Sequence, residues 1–392
     1  MKPSGVILMI DNNIIYAAVA LVCSILLAFS LTPAVRVLAF KVGAIDVPRD
    51  NRRMHKKPIP RMGGLAIYLS FCITCLLFCD ITKELLVMLA GGLLIATLGM
   101  LDDVFRLSAW LKFIVQIAIA VGTYFGGIRI DRLSFGGHYF SLGVFAIPIT
   151  VLWIVGLSNA FNFVDGLDGL SCGLSTISSI SILCVVLLQG DLSYAIVALI
   201  LIGACFGFLP FNRNPARIFM GDTGALFLGY TLAVISVQGT FKMHTALSVL
   251  VPLFIFAVPL ADTIFAVIRR LISGKSPFEA DRGHFHHRLV DMGFTQKESV
   301  KILYSICGMF GLVAVFMCDN IFPRYKLVKS ISIIVVALII FIVILAIMKN
   351  PKTRLHSGLF EEEEIHIPEL EKEGTEDNGE KTDGAAENGD EK

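Results

Sequence analysis

The side chains able to do chemistry gather in a few short polar stretches. Asp102 and Asp103 are neighbours, with Arg106 and Lys112 close behind. Adjacent carboxylates repel one another and are costly beside hydrocarbon. The pair therefore points either to a bound cation or proton-transfer role, or to an ordinary solvated helix cap. Asn159, Asn162, Asp165 and Asp168 recur every three residues. On a helical turn they form one stripe of oxygen atoms, suited to Mg²⁺ or to sugar and base hydroxyls, unless they merely cap. Gly166 and Gly169 in the same stretch permit close backbone approach. Asp222, flanked by Gly221 and Gly224, opens an apolar run. It reads as a plain N-cap or as a metal ligand where a Gly-rich turn at a helix N-terminus receives phosphate.

Two basic stretches complete the set. His284, His286 and His287, with Arg282 and Arg288, make a cationic, hydrogen-bonding loop that suits phosphates. His-x-His-His is also a zinc pattern, although no cysteine or further histidine accompanies it in the loop. Arg49, Arg52, Arg53, His55, Lys56, Lys57 and Arg61 precede Met62-Gly63-Gly64. Such a run is an anionic-lipid contact and topology signal, and the Gly pair adds the option of a phosphate or nucleotide clamp; the two readings can coexist.

The elements that must position these residues are membrane helices. The chain of 392 residues is 55% apolar and only 17% charged, against about 25% charged in soluble domains. Apolar runs near the ~20 residues a span requires are centred near residues 22, 72, 93, 118, 150, 178, 201, 231, 258, 310 and 338. The expectation is an all-α, polytopic membrane protein with about eleven transmembrane helices. The run from Ile14 to Leu31 carries no charge and reads as a retained span. With the N-terminus outside, the inner connections hold 17 Lys and Arg and the outer side 8, which makes the polar stretches cytoplasmic and places the C-terminus inside. Residues 1–350 form the membrane domain. Residues 351–392, with 5 basic and 14 acidic side chains, read as a disordered cytoplasmic tail. The nine cysteines fall almost entirely within or at the ends of apolar runs and behave as small hydrophobes, Cys72 and Cys75 included.

Together the stretches resemble one family, the polyprenyl-phosphate N-acetylhexosamine-1-phosphate transferases, which include the MraY translocase. The resemblance runs from about Arg49 to Phe294. It rests on the segments His55 to Gly64, Leu101-Asp102-Asp103, Asn159 to Gly169, Phe219-Met220-Gly221-Asp222-Thr223-Gly224 and Ser276 to His287, matched in order. His-x-His-His in place of three successive histidines, Pro60-Arg61 before Met62-Gly63-Gly64, and eleven spans are similar to the GlcNAc-1-phosphate branch. That branch implies UDP-GlcNAc as donor and undecaprenyl phosphate as acceptor. Another UDP-N-acetylhexosamine is the main rival, with UDP-MurNAc-pentapeptide behind it.

Carried over to this sequence, the resemblance implies that Asp102 and Asp103 lie at the reacting phosphates as catalytic residues. Asp222 and Asn162 would coordinate Mg²⁺, for which Mn²⁺ can substitute, and Asn159, Asp165 and Asp168 would line the same site. Lys112, Arg282, His284, His286 and His287 would meet the diphosphate or sugar. Phe219 would stack on uracil with Asn212 nearby, and Arg61 and Arg106 are weaker assignments. The reaction so implied releases UMP and starts a lipid-linked surface polymer such as teichoic acid or O-antigen. The expected setting is the bacterial cell membrane with the site on its cytoplasmic face. The resemblance also suggests a homodimer, and nucleic acid is not an expected partner. One displacement by the lipid phosphate, with an Asp as base, and two displacements through an aspartyl intermediate both satisfy the sequence. A secondary transporter is the non-enzyme alternative, but it predicts an internal repeat and mid-span charges, and no obvious repeat and few such charges are found.

Overall fold

The computed structural model describes residues 4–47, 58–135, 138–240, 249–274, 276, 283–318 and 335. Twelve α-helices are defined among them: α1 (Ser4–Val42), α2 (Gly64–Phe78), α3 (Lys83–Phe105), α4 (Ala109–Phe125), α5 (Ala146–Val164), α6 (Leu170–Gln189), α7 (Leu192–Asn212), α8 (Gly221–Gly239), α9 (Leu250–Ile255), α10 (Ala257–Ile272), α11 (Phe285–Asp291) and α12 (Gln296–Phe316). Ten of the eleven expected centres fall within these helices; the eleventh, near residue 338, and the acidic tail lie outside the described residues. Six helices (α1, α3, α5, α6, α7 and α12) are long and apolar enough to cross a membrane, and α2 and α4 are shorter apolar helices. The protein is thus a helical, multi-pass membrane protein.

Among the described residues, the fold departs from an all-helical chain in two short antiparallel ribbons. Strands β1 (Ile45–Asp46) and β2 (Ile59–Pro60) pair antiparallel, as do β3 (Arg132–Phe135) and β4 (His138–Ser141). Both ribbons are too short for a hydropathy scan to separate from loops. The expected span near residue 258 is broken at Phe256 into α9 and α10. Pro259 has no N–H to return to the Ile255 carbonyl four residues back, and the Ser178 hydroxyl donates to that carbonyl instead (3.4 Å).

Helix α8 is the centre of the bundle. Every residue from Gly221 to Gly239 except Asp222 is buried, with α2, α3, α5, α6 and α7 packed around it. Enclosed by protein rather than lipid, it can carry Thr, Ser, Gln and Gly, which keeps it out of the apolar six. Close approach of backbones depends on small residues, as in membrane helix pairs generally. A Cβ at Gly99 would strike the Asp222–Thr223 backbone, and one at Gly229 the Leu157–Ser158 backbone. By contrast, α1 turns Ile15, Val19, Val22, Leu26 and Phe29 outward, an apolar face fit for lipid.

Alternating helix direction brings the C-terminal ends of α1, α3, α5, α7 and α10 to the same end of the bundle as the N-terminal ends of α2, α4, α6 and α8. The described polar stretches therefore share one end. Caps set several of these ends: Ser108 accepts from Leu111 N at the start of α4, and Thr295 with Glu298 forms a capping box on α12.

Candidate active site

Five charged side chains, from α3, α4, α8 and the connection between β2 and α2, form a continuous chain. Lys112 at the start of α4 reaches Asp102 Oδ2 (2.7 Å) and Asp222 Oδ2 (3.0 Å). Arg61, just before α2, lies 3.5 Å from Asp222 Oδ1 through Nη2 and 3.4 Å from Asp103 Oδ1 through Nε. The backbone holds Arg61 in place: Arg61 N donates to Ala44 O, Phe219 N to Pro60 O, and Gly63 N to Phe219 O, each at 2.9 Å. Met62 between them adopts φ 97°, a sparsely populated posture for a residue with a Cβ.

The two adjacent aspartates divide their roles. Asp103 has a fully enclosed side chain and caps the start of α8: it accepts from Asp222 N (3.1 Å), Thr223 N (3.1 Å) and Thr223 Oγ1 (2.7 Å). Gly221, at φ 72°, is required there, since a Cβ would collide with the Asp103 carboxylate. Asp102 instead accepts from Lys112 Nζ and, at the corner where α3 ends, from Leu107 N (2.7 Å). It is the partly exposed member of the pair.

The stripe of four oxygen donors survives only in part. Helix α5 ends at Val164, so Asp165 leaves the helix in a turn (φ −74°, ψ 50°) that Gly169 closes at φ 79°. Asp165 enters the field of the charged chain. Burial first, then the Asp222 carboxylate, and less strongly Asp103 and Asp168, push its pKa up to about 8 against the pull of Arg61. Asp168 turns the other way, accepting from Asn214 Nδ2 and Ala216 N (both 3.0 Å), and so braces the α7–α8 connection. Asn159 is engaged along α4 and α5, donating to Gln116 Oε1 (2.5 Å) and Val155 O (2.8 Å). Asn162 sits one turn before Asp165, whose N–H donates to the Asn162 carbonyl (3.2 Å). Asn212 is buried and donates to Ile218 O (3.1 Å), while Phe219 is only partly buried.

Burial lowers the affinity of the Arg61 guanidinium for its proton, but Asp103, Asp222, Asp46 and Asp165 outweigh that and raise its pKa. Arg61 thus stays a cation. With Asp165 holding its proton, three carboxylates (Asp102, Asp103, Asp222) face two cations (Arg61, Lys112), an excess of negative charge suited to a divalent ion and enlarged when Asp165 ionises. Among the described residues, no three His, Cys, Asp or Glu side chains converge closely enough to hold a metal by themselves. Mg²⁺ does not need that, since it usually keeps several waters and takes one or two carboxylates plus substrate phosphates. The donor set fits on those terms.

The histidine loop rests on the α5–α6 turn. His286 is buried, and a Cβ on Gly166 would collide with its Nε2. Burial, with His287 and His284 alongside, drives the His286 pKa well down, so this ring is neutral. His284 and His286 stack at 5.7 Å, His286 and His287 lie 4.2 Å apart, and Phe163 packs against His284 at 5.9 Å. Arg282 and the basic run from Arg49 to Lys57 lie outside the described residues. Arg106 ends α3 in the left-handed region, exposed to solvent.

The structure therefore brings Asp102, Asp103, Lys112, Asp165 and Asp222 together and makes Arg61 central rather than marginal. Sequence reasoning missed Thr223, Gln116 and Asp262. Only Asp262, a carboxylate within an apolar run, carried a signal that could have found it.

Comparison with known proteins identifies the family. The family model for glycosyl transferase family 4 matches residues 85–240, which include Asp102, Asp103, Lys112, Asp165 and Asp222. A probable undecaprenyl-phosphate N-acetylglucosaminyl 1-phosphate transferase of Bacillus subtilis is 40% identical over 86% of this chain and 92% of its own. A decaprenyl-phosphate N-acetylglucosaminephosphotransferase of Mycolicibacterium smegmatis is 34% identical over 84% and 88%. The undecaprenyl-phosphate alpha-N-acetylglucosaminyl 1-phosphate transferase of Escherichia coli K12 is 31% identical over 71% and 78%.

Proposed function

The chain belongs to glycosyl transferase family 4, and from that premise we propose that it transfers GlcNAc-1-phosphate from UDP-GlcNAc to undecaprenyl phosphate, releasing UMP. One observation carries the reading. The Asp102–Lys112–Asp222–Arg61–Asp103 chain places alternating charges at one end of a helical bundle, in a protein similar over most of its length to transferases of this kind.

Both substrates are phosphate anions, so the residues must neutralise and align charge. An oxygen of the lipid phosphate attacks the β-phosphorus of the donor, the one nearest the sugar. The bond to the oxygen bridging the two phosphorus atoms breaks, and UMP leaves with that oxygen. Asp102 accepts the proton of the attacking phosphate, whose second pKa near 6 makes the transfer easy. Asp103, held by three donors of α8, positions Asp222. Asp222 and Asn162 would hold Mg²⁺, which when bound supplies charge neutralisation at the diphosphate. Lys112 and Arg61, released from part of their carboxylate pairing, meet the phosphates. The excess of Lys and Arg in the polar connections supports a site on the cytoplasmic face of a bacterial membrane, where the soluble nucleotide arrives and the prenyl chain remains in lipid. The product would begin a surface polymer.

The test is UMP release by detergent-purified protein given Mg²⁺, undecaprenyl phosphate and one donor at a time: UDP-GlcNAc, UDP-GalNAc or UDP-MurNAc-pentapeptide. Release with UDP-GlcNAc, absent in Asp222→Ala, is expected. Folded wild-type protein that releases UMP only from another donor overturns the sugar, and release from none overturns the reaction.

A further inference from the structure

Asp262, in α10, is almost completely enclosed, and both of its carboxylate oxygens are engaged by the histidine loop. Oδ1 accepts from Phe285 N at 2.7 Å, and Oδ2 lies 2.8 Å from His284 Nδ1. The side chains of Asp262 and His284 are 3% and 8% exposed. Buried carboxylates are retained only when paired, and this one is paired entirely with the loop. Because the carboxylate is an acceptor, Nδ1 is the nitrogen that donates, which leaves Nε2 as the ring nitrogen available to a ligand.

The ring held in this way is close to the charged chain. It packs on Phe163, two residues before Asp165, and stacks within 9° of parallel on His286, whose Nε2 abuts Gly166. We propose that Asp262 is a positioning residue for donor binding: it fixes the orientation and tautomer of His284, so that Nε2 meets the phosphates or sugar of the nucleotide donor. The inference rests on the transferase reading above. It adds a residue more than a hundred positions from Asp102 in sequence, on an element that carries none of the phosphate-facing carboxylates.

The experiment compares wild type, Asp262→Asn, His284→Asn, His284→Ala and Asp262→Asn/His284→Ala by steady-state UMP release and by thermal unfolding. Asp262→Asn keeps an acceptor for Phe285 N but offers His284 an NH₂ group, which forces Nδ1 to accept and reverses the tautomer. The expected result is a loss in kcat/KM for UDP-GlcNAc of at least about tenfold, mostly in KM, with an unfolding midpoint near that of wild type. The double variant should be no worse than His284→Ala, since Asp262 acts through that ring. His284→Asn preserves the partner of Asp262 but has no nitrogen at the Nε2 position, and should lose as much as His284→Ala. Wild-type kcat/KM in His284→Asn overturns the proposal even where Asp262→Asn fails to fold. Wild-type kcat/KM in Asp262→Asn or His284→Asn, or losses that multiply in the double variant, would overturn the proposal. An inactive wild type would instead overturn the transferase reading.

Discussion

Replacing Asp102 and Asp103 separately by alanine should produce different defects, although the residues are chemically identical neighbours. Asp103→Ala removes the acceptor of Asp222 N, Thr223 N and Thr223 Oγ1 at the start of the central helix. A buried donor left unsatisfied costs about 1–3 kcal/mol, so three of them cost about 3 kcal/mol at the low end. At roughly 2 °C per kcal/mol for a large chain, the unfolding midpoint should fall by about 6 °C. Asp102→Ala removes the partners of Leu107 N and Lys112 Nζ, but the latter keeps Asp222 and both lie near solvent. The cost there is about 1 kcal/mol, or about 2 °C. Its activity should nevertheless fall by about 10²–10⁴, the range for loss of a general base. A thiol-reactive dye in detergent reads unfolding directly, because Cys172, Cys205 and Cys307 are free and buried. Equal midpoints for the two variants, or an Asp103→Ala protein as stable as wild type, would refute the division of roles.

Three further outcomes are expected. Gly166→Ala drives a Cβ into the His286 ring; overpacking of about 1–3 kcal/mol and a loss of turnover should follow, whereas Gly156→Ala, which has open space around it, should match wild type in the same melting and UMP assays. Asp165 holds a proton in the folded chain up to about pH 8, against 3.8 for the ordinary group. Without divalent cation, stability should therefore decline as pH rises from about 4 towards about 8, since the unfolded chain binds fewer protons. Melting curves in EDTA check this, and an unchanged slope in Asp165→Asn would rule out Asp165 as the source. Chelation should abolish UMP release and added Mg²⁺ or Mn²⁺ restore it, with Asp222→Asn needing at least about tenfold more metal; full turnover in EDTA would remove the metal from the mechanism.

Hydropathy alone determined most of the helices, because a span must be long and apolar whatever it packs against: ten of eleven expected centres fall in helices. Grouping the polar stretches at one end of the bundle was equally legible, since alternating helix direction follows from counting spans. What each polar residue does there was not. Asp103 is an anchor because Thr223, 120 residues away, arrives at its carboxylate. Asp168 leaves the stripe because α5 stops at Val164 and Asn214 claims it. Arg61 is held at the charged chain because the Phe219 backbone grips its neighbours. In each case the deciding partner comes from a distant part of the chain, and local spacing constrains only what lies within a turn or two. Tertiary packing alone made Asp262 a buried partner of His284 and Asp102 the freer of two identical neighbours.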